Sequence, residues 1–510
     1  SGDKTTFGPI PPVHNVTQDT YHATIQSAID AATAGDLIDV AAGTYNESPV
    51  INKSLTLQGA GCGQSEIVLS GPTYLSAMEI TGAGTSATIR GFTITGYDAV
   101  GSGLASTNII VYQPTGDSVI EDCCLNVGKR GPGTNFDDGF GLLTVYFDAA
   151  VVIDSITLDN CSLDPITDGG RGFFINPGVG NFTLINSSIN GLGSSFTQAN
   201  DSLIEANTIS GSGAAGSRAG GIGTWGYPDP TMWGKATFRG NTITNAFAGV
   251  RLLSTEDCLV EENIISDCDY GVSVADFSQA FDPSGNVIFN NSIENIHFLA
   301  IENTEATVIN ASGNWLGSSL ATTVAASVSP ASVDYTPWLD NGTDSSGDPG
   351  FQSDFATVWV DDDSPQTGLV ARVQEGVNLV SSSTVNVLPG LYEEQVVIDA
   401  DNLNLIGSGS GSNPAVDTII KSPVSLTYSF NTGLNNFPII GVHDCLNVSI
   451  SDLRVDGAGR GNGNYRFQGI AYWNADGSVA DCAITGIRET PLSGTQHGVG
   501  FYAFNNTGGP

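Results

Sequence analysis

Charged residues of both signs concentrate in two stretches that we expect to be loops of neighbouring structural repeats. They are Lys129, Arg130, Asp137, Asp138, Asp168 and Arg171. A basic side chain beside acidic ones can remove a proton, and paired aspartates can act as acid and base on a glycoside. Loop salt bridges explain the same residues without any chemistry. Further basic residues follow at Arg218, Lys235, Arg239 and Arg251 and extend this flank.

Aromatic residues concentrate in one glycine- and proline-rich stretch, GTWGYPDPTMW. Its rings belong to Trp225, Tyr227 and Trp233, and they could stack on sugars. An aromatic lid that only covers neighbouring strands would need the same residues. The sequence leaves both interpretations open.

Acidic residues cluster in two polar stretches near the middle of the chain. They are Asp340, Asp344, Asp348, Asp361, Asp362 and Asp363. Carboxylate oxygens are the ligands that calcium prefers, although the spacing fits no EF-hand. A solvated acidic linker is the alternative, so calcium is a candidate and no cofactor is required.

The composition of the chain excludes some classes of binding partner. The chain has 510 residues and a net charge of −37, which argues against nucleic acid and anionic membrane surfaces. No apolar run is long enough to span a membrane. None of the five histidines has a serine–histidine–aspartate context. These features favour a secreted or cell-surface protein.

The elements that must position these residues are short repeated strands. The pattern x-I-x-x-N-x-I recurs between residues 88 and 294, with loops of varying length between copies. Such repetition indicates a solenoid with coils of about 20 residues. Asn207, Asn241, Asn263 and Asn291 share one position of the repeat, so we expect an asparagine ladder between coils about 4.8 Å apart.

A second arrangement occurs twice. Ile25, Ala28, Ile29 and Ala32 have helical spacing, and a strand and a Gly-Thr-Tyr turn follow them. The order helix, strand, Gly-x-Tyr and strand returns from Val373 onward. The sequence therefore predicts a duplicated domain in which each copy begins with a short helix.

The stretch AIDAATAGDLIDVAAGTYNE, with the strand repeats after it, resembles the start of right-handed parallel β-helix domains of the pectin-lyase-like superfamily. The resemblance implies an all-β fold of two tandem solenoids, each opened by a capping helix, the second incomplete. It implies that Trp315 and Trp338 belong to a segment that closes the first solenoid. We expect a lead-in at 1–19, domains at 20–340 and 355–510, and a linker at 341–354.

Function follows less directly, because this fold carries enzymes, adhesins and structural proteins. Hydrolases of the superfamily carry an NTD strand end, a DD pair, an HG turn and an RxK segment, and this sequence lacks that combination. The sequence therefore favours an extracellular structural protein that acts in adhesion or assembles head to tail with itself as a filament or sheath subunit. The alternatives are a polysaccharide lyase or hydrolase on acidic glycans, and a non-catalytic binder of surface glycans.

The eight cysteines permit disulfides without identifying them. Cys258 and Cys268 are close enough in sequence to close a small loop. Cys123 and Cys161 share the ladder position on successive repeats, so they are stacked either as free thiols or as a bridge.

Overall fold

We describe a computed structural model of the chain. It describes residues 11–69, 76–97, 106–128, 139–145, 152–167, 170–226, 234–276, 281–380, 382–493 and 498–506. Their contacts divide the chain into two compact units. Unit 1 comprises residues 1–287, 293–307 and 348–351, and unit 2 comprises residues 288–292, 308–347 and 352–510. None of the helices in the described ranges is long and apolar enough to span a membrane.

Short strands dominate both units. The first thirty-two are β1 (Val13–Asn15), β2 (Thr20–His22), β3 (Asp36–Val40), β4 (Gly43–Tyr45), β5 (Val50–Ile51), β6 (Leu55–Gly59), β7 (Ser65–Val68), β8 (Ser76–Ile80), β9 (Ala87–Arg90), β10 (Thr93–Thr95), β11 (Thr107–Tyr112), β12 (Thr115–Glu121), β13 (Cys124–Val127), β14 (Phe140–Val145), β15 (Ile153–Asp159), β16 (Ser162–Pro165), β17 (Arg171–Ile175), β18 (Val179–Ile185), β19 (Ser188–Asn190), β20 (Ser195–Thr197), β21 (Asp201–Glu205), β22 (Thr208–Ser210), β23 (Ile222–Trp225), β24 (Lys235–Arg239), β25 (Thr242–Thr244), β26 (Ala248–Leu253), β27 (Leu259–Glu261), β28 (Ile264–Ser266), β29 (Tyr270–Ala275), β30 (Val287–Phe289), β31 (Ser292–Glu294) and β32 (Leu299–Asn303).

The later strands are β33 (Ile309–Asn310), β34 (Val333–Asp334), β35 (Trp338–Leu339), β36 (Thr357–Val360), β37 (Thr384–Val387), β38 (Gly390–Glu393), β39 (Val396–Ile398), β40 (Asn404–Ile406), β41 (Thr418–Lys421), β42 (Phe430–Asn431), β43 (Asn435–His443), β44 (Val448–Ser451), β45 (Arg454–Asp456), β46 (Phe467–Trp473), β47 (Gly477–Ala480), β48 (Ala483–Thr485) and β49 (Val499–Phe504). The α-helices are α1 (Ile25–Ala31), α2 (Ala321–Ala326) and α3 (Arg372–Leu379), and short 3₁₀ turns occupy Pro283–Gly285 and Arg460–Gly463.

Unit 1 is a parallel β-helix in which each coil contributes one strand to each of three sheets. Within the unit, sheet A has the order β2-β1-β3-β6-β9-β12-β15-β18-β21-β24-β27, and sheet B runs from β4 through β7 and β10 to β28. Sheet C is β5-β8-β11-β14-β17-β20-β23-β26-β29-β32. Only β1 pairs in the antiparallel sense, with β2 and β3, among the described strands of this unit.

The core of unit 1 is a set of stacked apolar rows, because strands in register place equivalent side chains over one another. In sheet A, Ile38 pairs with Leu57, Leu57 with Ile89, and Ile89 with Ile120. All four side chains are fully buried. Each coil therefore covers the apolar surface of the coil before it.

The turn between sheets A and B carries the predicted asparagine ladder. The Asn207 side-chain amide donates to Asn241 Oδ1, and the Asn241 amide donates to Asn263 Oδ1, both at 2.9 Å. Asn291 donates in the same way to Asn314 Oδ1. The Oδ1 atoms of Asn207, Asn241, Asn263 and Asn314 each also accept a main-chain N–H. The ladder thus satisfies buried polar groups at the tightest corner of the coil.

The two predicted capping helices have the same construction. In the first, Glu47 accepts the main-chain N–H groups of Ile25 and Gln26 at 3.0 Å. In the second, Glu394 accepts those of Val373 and Gln374 at 3.1 and 2.9 Å. Each carboxylate therefore binds the free donors that begin a helix.

The helix glutamine completes each cap by joining the helix to the third strand of the same coil. Gln26 accepts from the Val50 N–H and donates to its carbonyl, and Gln374 does the same with Val397. The cap of α1 also includes a capping box, in which the Thr24 side chain accepts the Ser27 main-chain N–H.

Unit 2 repeats the three-sheet coil. Sheet A′ is β36-β37-β40-β44-β47, sheet B′ is β38-β41-β45-β48, and sheet C′ is β39-β43-β46-β49. Trp338 is fully buried and pairs across β35 and β36 with Trp359. Trp315, its predicted companion in the closing segment, forms a bridge with Ser292 within the same unit. Sheet C′ also receives β42, an antiparallel partner of β43.

The cysteines differ from one prediction. Cys258 and Cys268 are free and buried, so the small loop that their spacing suggested is wrong. Cys258 precedes β27 of sheet A and Cys268 follows β28 of sheet B, so the chain between them runs from one sheet to the next and does not fold back to bring the two thiols together. Cys62 and Cys124 form a disulfide instead, at a sequence separation of 62. Cys123 and Cys161 are stacked as free thiols.

Candidate functional site

The outer face of sheet C carries one row of side chains in register from coil to coil. The row comprises Leu143, Phe174, Phe196, Gly223, Arg251, Ser273 and Glu302. Neighbouring parallel strands are about 4.8 Å apart, so the row from Phe174 to Glu302 is about 24 Å long. A linear polymer could follow it from one coil to the next.

Aromatic rings form the first half of this face. Trp225, at the end of β23, meets Phe174 edge-on at 5.6 Å and Phe196 edge-on at 5.5 Å between ring centroids. Phe140 packs at 6.1 Å on Phe174. The edge-to-face arrangement fixes the rings and leaves Phe174 and Trp225 half-buried, a geometry suited to stacking against apolar ligand surface.

A second aromatic group continues beside the row. Phe247, Tyr270 and Phe298 come from three successive coils, with centroid distances of 5.5 Å for the first pair and 5.2 Å for the second. Phe298 is 48% exposed. The two aromatic groups together form what we call the sheet C strip: Phe140, Phe174, Phe196, Trp225, Phe247, Tyr270 and Phe298.

Two arginines lie within the strip. The Arg171 guanidinium lies 5.8 Å from the centre of the Phe196 ring, and its Nη1 donates to the Ser194 carbonyl at 2.7 Å. Arg251 lies 5.2 Å from the centre of the Phe247 ring. Both arginines are held on aromatic faces, which orients the charge.

Arg251 is the more unusual of the two. Its Nε is buried and has no hydrogen-bond partner among the residues that the structure describes. Burial lowers the pKa of this guanidinium, Glu302 opposes the shift, and the positive charge of Arg171 adds to it. A partly desolvated cation without a bonded counter-ion favours an anionic ligand.

Acidic and hydroxyl groups complete the far end of the row. Ser273 donates to Glu302 Oε2 at 2.6 Å. Burial, and then the Glu302 charge, raise the pKa of Tyr270. The phenol therefore keeps its proton and can donate a hydrogen bond, which makes it a poor base.

The structure tests few of the predicted loop residues. Lys129, Arg130, Asp137, Asp138 and Asp168 lie outside the described residues, as do Tyr227 and Trp233. Arg171 and Trp225 are described, and both belong to the sheet C strip region. Of the other flank residues, Arg218 is bound to Asp269 at 2.9 Å, whereas Lys235 and Arg239 pair with carboxylates on strands and turns of sheet A.

The acidic stretches separate into different environments. Asp340 accepts the Trp359 indole N–H at 2.7 Å, and Asp344 accepts the main-chain N–H of Gln352 at 3.0 Å. Asp348 belongs to unit 1. The carboxylates of Asp361, Asp362 and Asp363 come within 4.8 Å of one another, the one such acidic cluster within the described ranges. Calcium binding there stays a prediction.

Sequence reasoning missed most of the strip. Phe174, Phe196, Phe247 and Glu302 carry no motif, and Arg251 was one basic residue among several. Their common signal is a shared register on sheet C, which becomes visible only after the coils are aligned. Aligning the strands that follow each asparagine turn could have identified the row.

A groove of about 740 Å³ follows the turns between sheets A and B. Its polar side chains bind one another: Asn160 donates to Asp122 at 2.6 Å and Asn186 to Asp159 at 2.9 Å. The disulfide partners Cys62 and Cys124 also line it. These bonds explain the groove as part of the coil corner, so sheet C is the better candidate site.

Comparison with known proteins supports the fold. Residues 145–316 match the family model described as "Right handed beta helix region". No curated protein is similar in sequence to this chain. The prediction of a right-handed parallel β-helix is confirmed.

Solved structures with this fold share little sequence with the chain. A periplasmic alginate epimerase is 9% identical with a TM-score of 0.33, covering 98% of this chain and 95% of the epimerase. An α-1,3-glucanase from Streptomyces thermodiastaticus is 15% identical with a TM-score of 0.32, covering 98% and 67%. A PL6 family alginate lyase is 12% identical with a TM-score of 0.29, covering 94% and 76%.

Proposed function

We propose that this chain binds and processes an extracellular polysaccharide on the outer face of sheet C, and that the polysaccharide is acidic. The observation that carries the proposal is Arg251. A half-buried guanidinium whose Nε has no partner among the described residues lies between two groups of aromatic rings. Rings that stack on sugars and a cation that binds a carboxylate are the two contacts a polyuronate requires.

The charge distribution would attract an acidic glycan to the sheet C strip and not to the surface as a whole. The net charge of −37 repels a polyanion from most of the surface. Arg171 and Arg251 bring two positive charges to one strip, so an acidic glycan is attracted there and disfavoured elsewhere. The solved structures named above act on polysaccharides by their names, but likeness at this level concerns the fold alone, and the proposal rests on the strip.

The reaction to test first is β-elimination at a uronate. A base removes the proton next to the carboxylate, the glycosidic C–O bond breaks, a C=C bond forms, and the leaving oxygen takes up a proton. Arg251 would neutralise the carboxylate and so make that proton more acidic. The base is not assigned, since the raised pKa of Tyr270 disfavours that role.

Binding and cleavage can be measured separately on the same variants. Affinity electrophoresis in gels with polygalacturonate or alginate gives binding, and ultraviolet absorbance of unsaturated uronate gives cleavage. We expect Arg251→Ala to weaken binding at least tenfold and Arg251→Lys to weaken it less. Trp225→Ala should also weaken it. Arg90→Ala, a surface change on sheet A, is the matched control.

Retention of full polyuronate binding by folded Arg251→Ala would refute the proposal. Binding without any change in absorbance would support a glycan-binding face on sheet C and reject the lyase activity. The protein would then be a non-catalytic glycan binder. A strictly neutral glycan preference, unaffected by Arg251, would reject the acidic class.

An assembling extracellular structural protein is the second candidate function. The observation that favours it is the acidic cluster of Asp361, Asp362 and Asp363, whose carboxylate oxygens lie within 4.8 Å of one another. Calcium at Asp361, Asp362 and Asp363 would belong to this candidate. Electron microscopy with and without a chelator tests it: ordered filaments that dissolve on chelation support it, and isolated rods in both conditions refute it.

A further inference from the structure

Unit 2 has its own aromatic face on sheet C′, the sheet equivalent to sheet C. His443 of β43 pairs in register with Trp473 of β46, and Trp473 with Phe504 of β49. The ring centroids of His443 and Trp473 are 6.3 Å apart.

A hairpin arm lays a second layer of rings on this face. The arm, residues 422–436, contributes Tyr428, which stacks on His443 at 5.1 Å and 16°. It also contributes Phe430, which stacks on Trp473 at 5.5 Å and 16°. Tyr502 packs on Phe430 at 5.9 Å. The outcome is two stacked ring pairs side by side.

Two polar atoms among these rings have no partner. Tyr428 Oη and Trp473 Nε1 are buried and make no hydrogen bond among the residues that the structure describes. An unsatisfied buried donor is costly, and its persistence calls for an explanation. A ligand that enters between the ring pairs with several hydroxyl groups would satisfy both atoms.

The arm is held in a way that permits such entry. One side chain, Gln395, accepts the main-chain N–H groups of Thr427 and Tyr428 at 2.9 Å and donates to the Tyr428 carbonyl at 3.0 Å. Tyr428, His443, Trp473 and Tyr502 remain half-buried rather than enclosed. Gln395 therefore holds the main chain of the arm at Tyr428 and leaves the phenol ring without a side-chain bond to it.

Carboxylates lie beside the Tyr428–His443 pair, whereas the guanidinium of Arg466 donates to Thr432 Oγ1 elsewhere on the arm at 3.4 Å. Asp444 Oδ2 is 3.2 Å from His443 Nδ1. Burial raises the pKa of the Tyr428 phenol, and the charges of Asp444 and Asp399 raise it further. The carboxylates beside the Tyr428–His443 pair would repel a uronate that binds there, whereas the arginines of sheet C would attract one.

We propose that the ring pairs Tyr428–His443 and Phe430–Trp473 form a second glycan-binding site, which takes uncharged sugar residues. The sugar stacks on the half-exposed rings, and its hydroxyl groups bind Tyr428 Oη and Trp473 Nε1. This site is distinct from the polyuronate face in residues, unit and charge, so one chain can hold two kinds of glycan.

The test is affinity electrophoresis of the full chain in gels that contain either a soluble neutral glucan or polygalacturonate. Wild-type protein should be retarded by the neutral glucan. Trp473→Ala should weaken that interaction at least tenfold, and Trp473→Phe, which keeps a ring but removes the N–H, about threefold or more. Trp225→Ala and the exposed Tyr465→Ala should leave it unchanged.

Tyr428→Phe separates binding from packing. It removes a buried hydroxyl without a partner, so the fold should become slightly more stable while neutral-glucan binding weakens several-fold. A purely structural cluster would show the stability gain alone, with binding unchanged.

The proposal is overturned if the wild-type chain ignores neutral glucans, or if folded Trp473→Phe and Tyr428→Phe bind them as wild type does. Loss of polygalacturonate binding in these variants would also overturn it. Loss of polyuronate binding in Arg251→Ala alone concerns only the sheet C face, so the two proposals fail separately.

Discussion

Replacing Asn241 by alanine tests whether the asparagine ladder stabilises the coils or only decorates them. The side chain is fully buried. Its oxygen accepts from the Asn207 main-chain N–H at 3.0 Å and from the Asn207 amide at 2.9 Å. Its amide donates to the Ile204 carbonyl and to Asn263 Oδ1, both at 2.9 Å. Alanine removes all four bonds.

The expected cost follows from what each group retains. The Asn207 amide still donates to the Leu184 carbonyl, and Asn263 Oδ1 still accepts the Asn241 N–H. The Asn207 main-chain N–H loses its acceptor, at a cost of about 1–3 kcal/mol, and each group that keeps another partner loses about 0.5–1 kcal/mol. These three groups together lose about 2–5 kcal/mol.

Urea denaturation followed by tryptophan fluorescence, with hydrogen exchange of the coil around Asn207, measures this cost. Asn241→Ser should be intermediate, because Ser187 occupies the same ladder position and its hydroxyl accepts the Cys161 N–H at 3.0 Å. The control is Asn190→Ala, on the outer face, with an expected cost of about 0.5 kcal/mol. Equal costs for Asn241→Ala and Asn190→Ala would refute the reasoning.

Three further predictions concern the second cap, the disulfide and the buried thiols. Burial raises the pKa of Glu394 to about 7, against an ordinary value of 4.5, so the folded protein holds this proton more tightly than the unfolded chain. Stability from this group is therefore present at low pH and falls by about 3 kcal/mol as pH rises from 4.5 to 7. Glu394→Gln should abolish that fall in denaturation measured as a function of pH, and Glu47→Gln is the matched change in the first cap. An unchanged pH profile in Glu394→Gln would contradict the assignment. Reducing the Cys62–Cys124 disulfide should cost about 4 kcal/mol, since it closes a loop of 62 residues. Burial raises the pKa of the Cys161 thiol to about 12 and that of the Cys123 thiol still higher. A thiol reagent at pH 8 should therefore leave both cysteines unmodified until the chain unfolds. Rapid labelling of either cysteine in the folded protein would contradict their burial.

Repetition made much of the fold predictable. The helix, strand and Gly-x-Tyr order occurs twice, and the Glu47 and Glu394 contacts show why both copies need a carboxylate after the tyrosine. The asparagine position was visible because the turn between sheets A and B has constant length, so the phase of the pattern is kept from coil to coil.

Sheet C was not predictable in the same way. Its strands follow connections of very different length: four residues separate β19 from β20, and eleven separate β22 from β23. Such variation hides the phase that would align Phe196 with Gly223 and Arg251. The disulfide escaped for the same reason, since Cys62 and Cys124 are neighbours only after two coils are stacked.

The asparagine ladder also fixes the spacing of positions along sheet C. Because each rung fixes one coil above another, positions along sheet C can change only in steps of one coil, about 4.8 Å. A loop may lengthen by many residues without moving Arg251 relative to Phe196, whereas one added coil would shift the arginine by a full step. A ligand that binds this face as proposed would therefore change its register against the strip by whole coils and not by gradual displacement.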